Sequence, residues 1–334
     1  MKGYRKSNLL WLMIVGFLLS GCGQAISQKK SLVTPSLESS QTVPTSTETS
    51  SPTVQSNGCK KIAFMVTSGK NSDIYSACPD GSNLTQLTDS PSMDTTPAWS
   101  PDGQTIAFAS SRSGSSQIYI MGGDGSNPIK LTSDYENDFP IWLPNGKQIA
   151  FRTMDAKGLW SWRIVNIESA QVSQFTKPSY DFFYQTPAWS PDGNKIAYMS
   201  LLEQKQRNDG SSQIHVKNVD GSRDVALTND IWANVNPVWS PSGAKIAFLS
   251  ERDGTYNMFA LYVMSTDGKD IQKLSDPIYS ENTVLSWSPD SREIAISADV
   301  IIGNIYIINV STGDKRVLLN LGDEKRASFP SWQP

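Results

Sequence analysis

From Lys60 to the C-terminus the apolar residues come in short words, separated by polar stretches rich in Pro, Asp, Gly and Ser. One set reads "IAFAS", "IAFRT", "IAYMS", "IAFLS" and "IAISA"; a second, further on, reads "QIYIM", "WRIVN", "QIHVK", "ALYVM" and "NIYII". Runs of four or five residues, rich in Ile, Val, Phe and Tyr and bounded by turn formers, predict strands of sheets covered on both faces. Ahead of each pair stands a word ending in Trp ("TPAWSPDG", "FPIWLPNG", "NPVWSPSG", "VLSWSPDS", "FPSWQP"), and behind it a turn such as Asp124-Gly125-Ser126 and a closing "KLT", "QFT", "ALT" or "KLS". Each unit therefore predicts four strands.

The Trp recurs at Trp99, Trp142, Trp189, Trp239, Trp287 and Trp332, at intervals of 43 to 50 residues. Four strands at that period are the signature of a β-propeller blade. The copy at Lys60 to Thr88 lacks its Trp strand, and the one at Phe329 to Pro334 has nothing else. The two halves predict a single blade shared between the termini, closing an all-β, six-bladed ring of four-stranded antiparallel sheets without exposed edges. In this ring the tryptophans are wedges between twisted sheets. Asp102, Asp192 and Asp290, and Asp80, Asp124, Asp220 and Asp267 in the second set of turns, read as turn formers.

The pattern "DxxPxWSPDGxxIAFxSxRxGxxxIYxMxxDGSxxxxLT" resembles the WD-repeat-like β-propeller repeat of the TolB family, from Lys60 to the C-terminus. The resemblance implies the scaffold. Proteins named TolB carry a separate N-terminal domain before the propeller, where this chain has a stretch of another kind.

Residues 1–21 have a basic start (Lys2, Arg5, Lys6) and an apolar run, Leu9 to Leu19, too short for a comfortable membrane span. They read as a lipoprotein signal peptide. Leu19-Ser20-Gly21-Cys22 resembles a bacterial lipobox, which implies lipidation of Cys22 and an extracytoplasmic, membrane-anchored protein, on the periplasmic face in a Gram-negative cell. Residues 22–57, with "SSQTVPTSTETSSPT" at their centre, have almost nothing to bury and read as a disordered tether. A flexible coil of that length would span roughly 30 Å. The propeller is then 58–334. Cys59 and Cys78 fall beside each other across the first hairpin; in an oxidising compartment they predict a disulfide, with two free thiols as the alternative.

A net charge of −3 and the absence of a basic cluster in the body of the chain argue against nucleic acid as a partner. The single histidine, His215, sits in "SQIHVKN" where another copy has Tyr119, and reads as a strand residue. No GxSxG, HExxH, P-loop or EF-hand spacing appears, so no catalytic residue, cofactor or metal is assigned.

In such a blade the Trp-strand turns and the DGS turns share one face, uniform from copy to copy. The other face carries loops that differ in length and content, and differentiation on a uniform scaffold points to binding. Asp94, Asn137, Tyr184, Asn234 and Asn282 occupy one position just before the Trp strand there, with Ala327 breaking the series. They are candidate funnel residues or, alternatively, bonds that close the ring. Tyr135, Phe139, Trp160, Tyr180, Phe182, Phe183, Trp232 and Tyr279 add aromatic area, Trp160 and Trp232 being taken as candidate ligand contacts. The expectation is a monomeric, non-catalytic binder of a protein or peptide, a cell-wall component among the candidates. A carbohydrate-active lyase or hydrolase using funnel carboxylates and tyrosines is the alternative, and a purely structural envelope protein a third reading.

Overall fold

The computed structural model describes residues 58–179, 186–200, 212–253, 258–277, 283–297, 303–322 and 324–334. The repeat words become strands in the predicted order. The second blade runs β4 (Asp94–Trp99), β5 (Thr105–Ser113), β6 (Ser115–Gly122), β7 (Ile129–Lys130); the third β8 (Glu136–Trp142), β9 (Gln148–Met154), β10 (Trp160–Asn166), β11 (Val172–Gln174). The fourth runs β12 (Ala188–Trp189), β13 (Lys195–Ser200), β14 (Gln213–Asn218), β15 (Val225–Ala226); the fifth β16 (Asn234–Trp239), β17 (Lys245–Ser250), β18 (Ala260–Ser265), β19 (Gln272–Lys273). The sixth is β20 (Leu285–Trp287), β21 (Glu293–Ser297), β22 (Ile305–Asn309), β23 (Lys315–Val317).

The first blade is the shared one. Its β1 (Ile62–Ser68), β2 (Asn71–Ala77) and β3 (Thr85–Gln86) come from the start of the propeller and its inner strand β24 (Lys325–Trp332) from the end, in the order β24-β1-β2-β3. Ile62 lies opposite Trp332 and Ala63 opposite Ser331. Six antiparallel four-stranded sheets result, and the ring closes. Outer strands such as β3, β7 and β15 are exposed along their length, whereas Ile106, Ala107 and Phe108 of β5 are fully buried. The alternation of buried and exposed strands runs outward from the axis, as a radial stack of sheets requires.

Blades are joined by core that crosses from one to the next: Ala63 and Ile74 of the first pack with Trp99, Ile106 and Phe108 of the second. All six repeat tryptophans are buried. Their roles as wedges are visible in bonds to the preceding blade, where Trp142 Nε1 donates to the Ala98 carbonyl (3.0 Å) and Trp287 Nε1 to that of Val238 (3.2 Å). At the closure the hydroxyls take over: the Trp332 amide donates to Ser286 Oγ (2.8 Å) and the Trp99 amide to Ser331 Oγ (3.0 Å).

The aspartates of the turns behave as predicted. Asp102 Oδ1 accepts from Ser100 Oγ (2.5 Å) and the Gln104 amide (3.0 Å), and the hydroxyl bond holds its carboxyl below the usual range. The glycine of the DGS turn is a packing requirement as well as a conformational one. At Gly125, φ is +87° and an added Cβ would lie 2.5 Å from the Leu87 carbonyl oxygen of the preceding blade. Cys59 and Cys78 form the expected disulfide, with Cα atoms 5.7 Å apart. Among the described residues no helix is long and apolar enough to cross a membrane. Cys22 and the tether lie outside the described residues.

Candidate functional site

The variable face is built from the loops between second and third strands and from the connections between blades. Its inner rim is organised by a recurring irregularity. On β4, β8, β16 and β24 the ladder slips by a β-bulge, and the residue ahead of the strand's proline is left-handed: Thr96 (φ 50°), Phe139 (48°), Asn236 (52°) and Phe329 (54°). Non-glycine residues enter that region at a cost of about 1–2 kcal/mol each. The bulge re-aims these side chains: the rings of Phe139 and Phe329 meet edge to face, centroids 5.5 Å apart, although their blades stand on either side of the second. Thr96, from the blade between them, is buried.

Behind Phe139 stands a charged stack. Arg152 donates through Nε and Nη2 to both oxygens of Asp138 (2.8 and 2.6 Å), and its guanidinium lies over the Phe139 and Trp160 rings at 4.2 and 4.6 Å. Paired, planar and stacked, it uses the properties that distinguish arginine from lysine.

Further out, a polar lock joins successive blades. In the second, Gln117 Oε1 accepts from Thr132 Oγ1 (2.8 Å) and from Asn137 Nδ2 of the third (2.9 Å). Gln213 and Asn234 repeat the pair at 3.3 Å between the fourth and fifth. Arg112 and Arg252 tie the loops down: each bonds the serine two residues before it, lies over the blade's Phe and Tyr rings, and pairs with Asp94 or Asp230 at 2.9 Å.

Of the residues expected at the funnel, Asp94, Asn137 and Asn234 are buried and engaged in these bonds. Trp160 is half-buried over Arg152, and Trp232 is 39% exposed. Tyr184 and Asn282, with Tyr180, Phe182, Phe183 and Tyr279, lie outside the described residues. His215 is on β14 as expected, its Nδ1 3.0 Å from Asp224 Oδ1. The arginines escaped sequence reasoning, although the triplets Ser110-Ser111-Arg112 and Ser250-Glu251-Arg252 after "IAF" were a signal. Phe329 escaped too, because only the bulge brings it to Phe139. Among the described residues no group of three or more His, Cys, Asp and Glu side chains could hold a metal ion.

The profile of the TolB beta propeller domain matches residues 27–183 and again 178–334. The chain belongs to the TolB beta-propeller family. The TolB-type crystal structure from Acinetobacter baumannii covers 82% of this chain and 67% of its own, with a TM-score of 0.70 at 20% identity, a likeness of fold. An uncharacterized protein of Agrobacterium fabrum is 33% identical over 136 residues, 38% of this chain and 46% of that one. The Tol-Pal system protein TolB of Syntrophus aciditrophicus is 36% identical over 77 residues, 22% of this chain and 17% of its own. The match thus spans less than half the length of these curated relatives.

The face that varies within this TolB-type propeller also exposes large apolar side chains in the connections between blades. Met93 (50%), Tyr135 (50%), Ile231 (66%) and Trp232 stand just ahead of inner strands β4, β8 and β16. They share this face with the Phe139–Phe329 pair and the arginines that brace it.

Proposed function

We propose that the chain is an extracytoplasmic envelope protein, anchored by lipid at Cys22, that binds a protein or peptide through this face and catalyses nothing. One observation carries the reading: Met93, Tyr135, Ile231 and Trp232 expose large apolar side chains on the face where the copies differ, the face that also carries the Phe139–Phe329 pair. Exposed aromatic and aliphatic anchors with arginines nearby are the composition of binding hot spots. A relative named for the Tol-Pal system supports a protein partner, with a cell-wall component as a further candidate ligand. The anchored protein would act as a monomer.

The alternative, a carbohydrate-active lyase or hydrolase, requires carboxylates free to meet a sugar. On the described inner strands Asp94 and Asp138 are each taken by an arginine, as is Asp230 just ahead of β16, and of these carboxylates Glu136 of β8 alone is left exposed, which favours the binder. The test is site-specific photo-crosslinking in intact cells, with the reactive group at Tyr135 or Trp232 and, as control, at Lys147 on the opposite face. Adducts of one size from the first two and none from the third are expected. Equal yields from both faces, or none from either, would remove this reading.

A further inference from the structure

The third blade breaks the internal pattern at one spot. In the first, second and fifth blades the second and third strands set a Phe–Tyr pair side by side, as with Phe108 and Tyr119 (5.8 Å between centroids) or Phe248 and Tyr262 (5.7 Å). In the second and fifth blades an arginine covers both rings. In the fifth it also satisfies the inner-strand asparagine, Arg252 Nη2 donating to Asn234 Oδ1 at 3.1 Å. In the third blade the Tyr position, opposite Phe151, holds Arg163, and the covering arginine's position holds Asp155.

Beside Arg163 opens a cavity of about 280 Å³, lined by Asn137, Phe151, Arg163, Ala170, Val172 and the connection that carries Ser133 and Asp134. Two polar atoms in its wall are buried with no partner: Arg163 Nε, a donor, and Asn137 Oδ1, an acceptor. Asn137 is 1% exposed, and its Nδ2 is already spent on Gln117, Thr132 and the Asp134 carbonyl, so the amide orientation is fixed and Oδ1 is left over. The Arg163 side chain makes no hydrogen bond or ion pair with any described residue; its guanidinium is 5.8 Å from the exposed Tyr135 ring. A buried donor or acceptor left unmatched is costly, which makes such a pair in one small cavity a specification for a ligand.

We propose that this cavity is a binding site for a small zwitterion, a free amino acid or short peptide. Its carboxylate meets Arg163, the group suited to planar anions. Its ammonium takes the place that the Arg252 guanidinium has in the fifth blade, donating to Asn137 Oδ1 beside the Asp134 carboxylate. The volume is at the lower end for ligand pockets and fits a molecule of that size. The site reaches the outer strand of the third blade, at Val172, and does not depend on the variable face binding a macromolecule.

The test is calorimetric titration of the full-length protein with L-alanine and glycylglycine, and with acetate and ethylamine as half-ligands. At least one zwitterion is expected to bind, and more tightly than either half-ligand. Arg163→Tyr, which gives the residue of the first, second, fifth and sixth blades, and Asp155→Arg, which gives that of the second and fifth, should each weaken that binding about tenfold or more. No heat from either zwitterion, acetate binding as tightly as both, or affinity unchanged in both variants would overturn the assignment.

Discussion

Trp332 is the third residue from the C-terminus, and the closed ring makes its removal expensive. Its side chain is 7% exposed and packs with Ile62 and Phe64 of β1 and Leu318 of the sixth blade. Truncating a buried Trp to Ala costs about 3–5 kcal/mol, a large part of the roughly 5–15 kcal/mol that holds a domain folded. A tryptophan on a dangling end would cost within about 0.5 kcal/mol of nothing. Trp239, equally buried at 7% within a continuous blade, is the internal control. We expect Trp332→Ala and Trp239→Ala to lower the guanidinium midpoint by similar amounts, followed by circular dichroism with the disulfide intact. Ser331→Ala, which removes the acceptor for the Trp99 amide, should cost about 1 kcal/mol. If Trp332→Ala unfolds with the wild type while Trp239→Ala is several kcal/mol weaker, the terminal strand does not close the ring.

Other consequences follow from the same bonds. Reducing Cys59–Cys78, which closes a loop with a sequence separation of 19, should lower stability by about 3 kcal/mol, read as a midpoint shift with and without reductant; an unchanged midpoint would contradict it. Burial, and then the neighbouring Asp94 and Asp89, raise the Asp73 pKa above its ordinary value although Ser90 and Thr88 bond it. An acid whose folded pKa is raised carries no penalty at low pH and its full penalty above that value, so Asp73→Asn should raise the melting temperature at pH 7. That gain should fade as pH falls through the carboxylate range; a pH-independent difference would exclude the linkage. Asn234→Ala strips partners from Gln213, Asp230 and Arg252 and should cost about 2–3 kcal/mol in thermal unfolding. A fully stable Asn234→Ala protein that has lost its crosslinks would instead make Asn234 a ligand residue.

The architecture was legible from the sequence because it is written in local terms repeated along the chain. Strand words, Pro-Asp-Gly turns and a Trp at constant period set four strands per blade. The split copy at the two ends set the number of blades and the closure, since Trp332 needs the partner that Ile62 lacks. The hairpin register even placed Cys59 beside Cys78. None of that logic gives the direction of an inner-strand side chain. The position shared by Asp94, Asn137 and Asn234 was readable, but Gln117 and Gln213, which turn two of these residues inward, belong to the preceding blade. Phe139 and Phe329 are far apart in sequence and meet at left-handed residues in the bulges of β8 and β24, strands of different blades. The departures at Arg163 and Asp155 were readable, but the cavity beside Arg163 was not; a void is a property of packed volume, which a chain acquires only on folding.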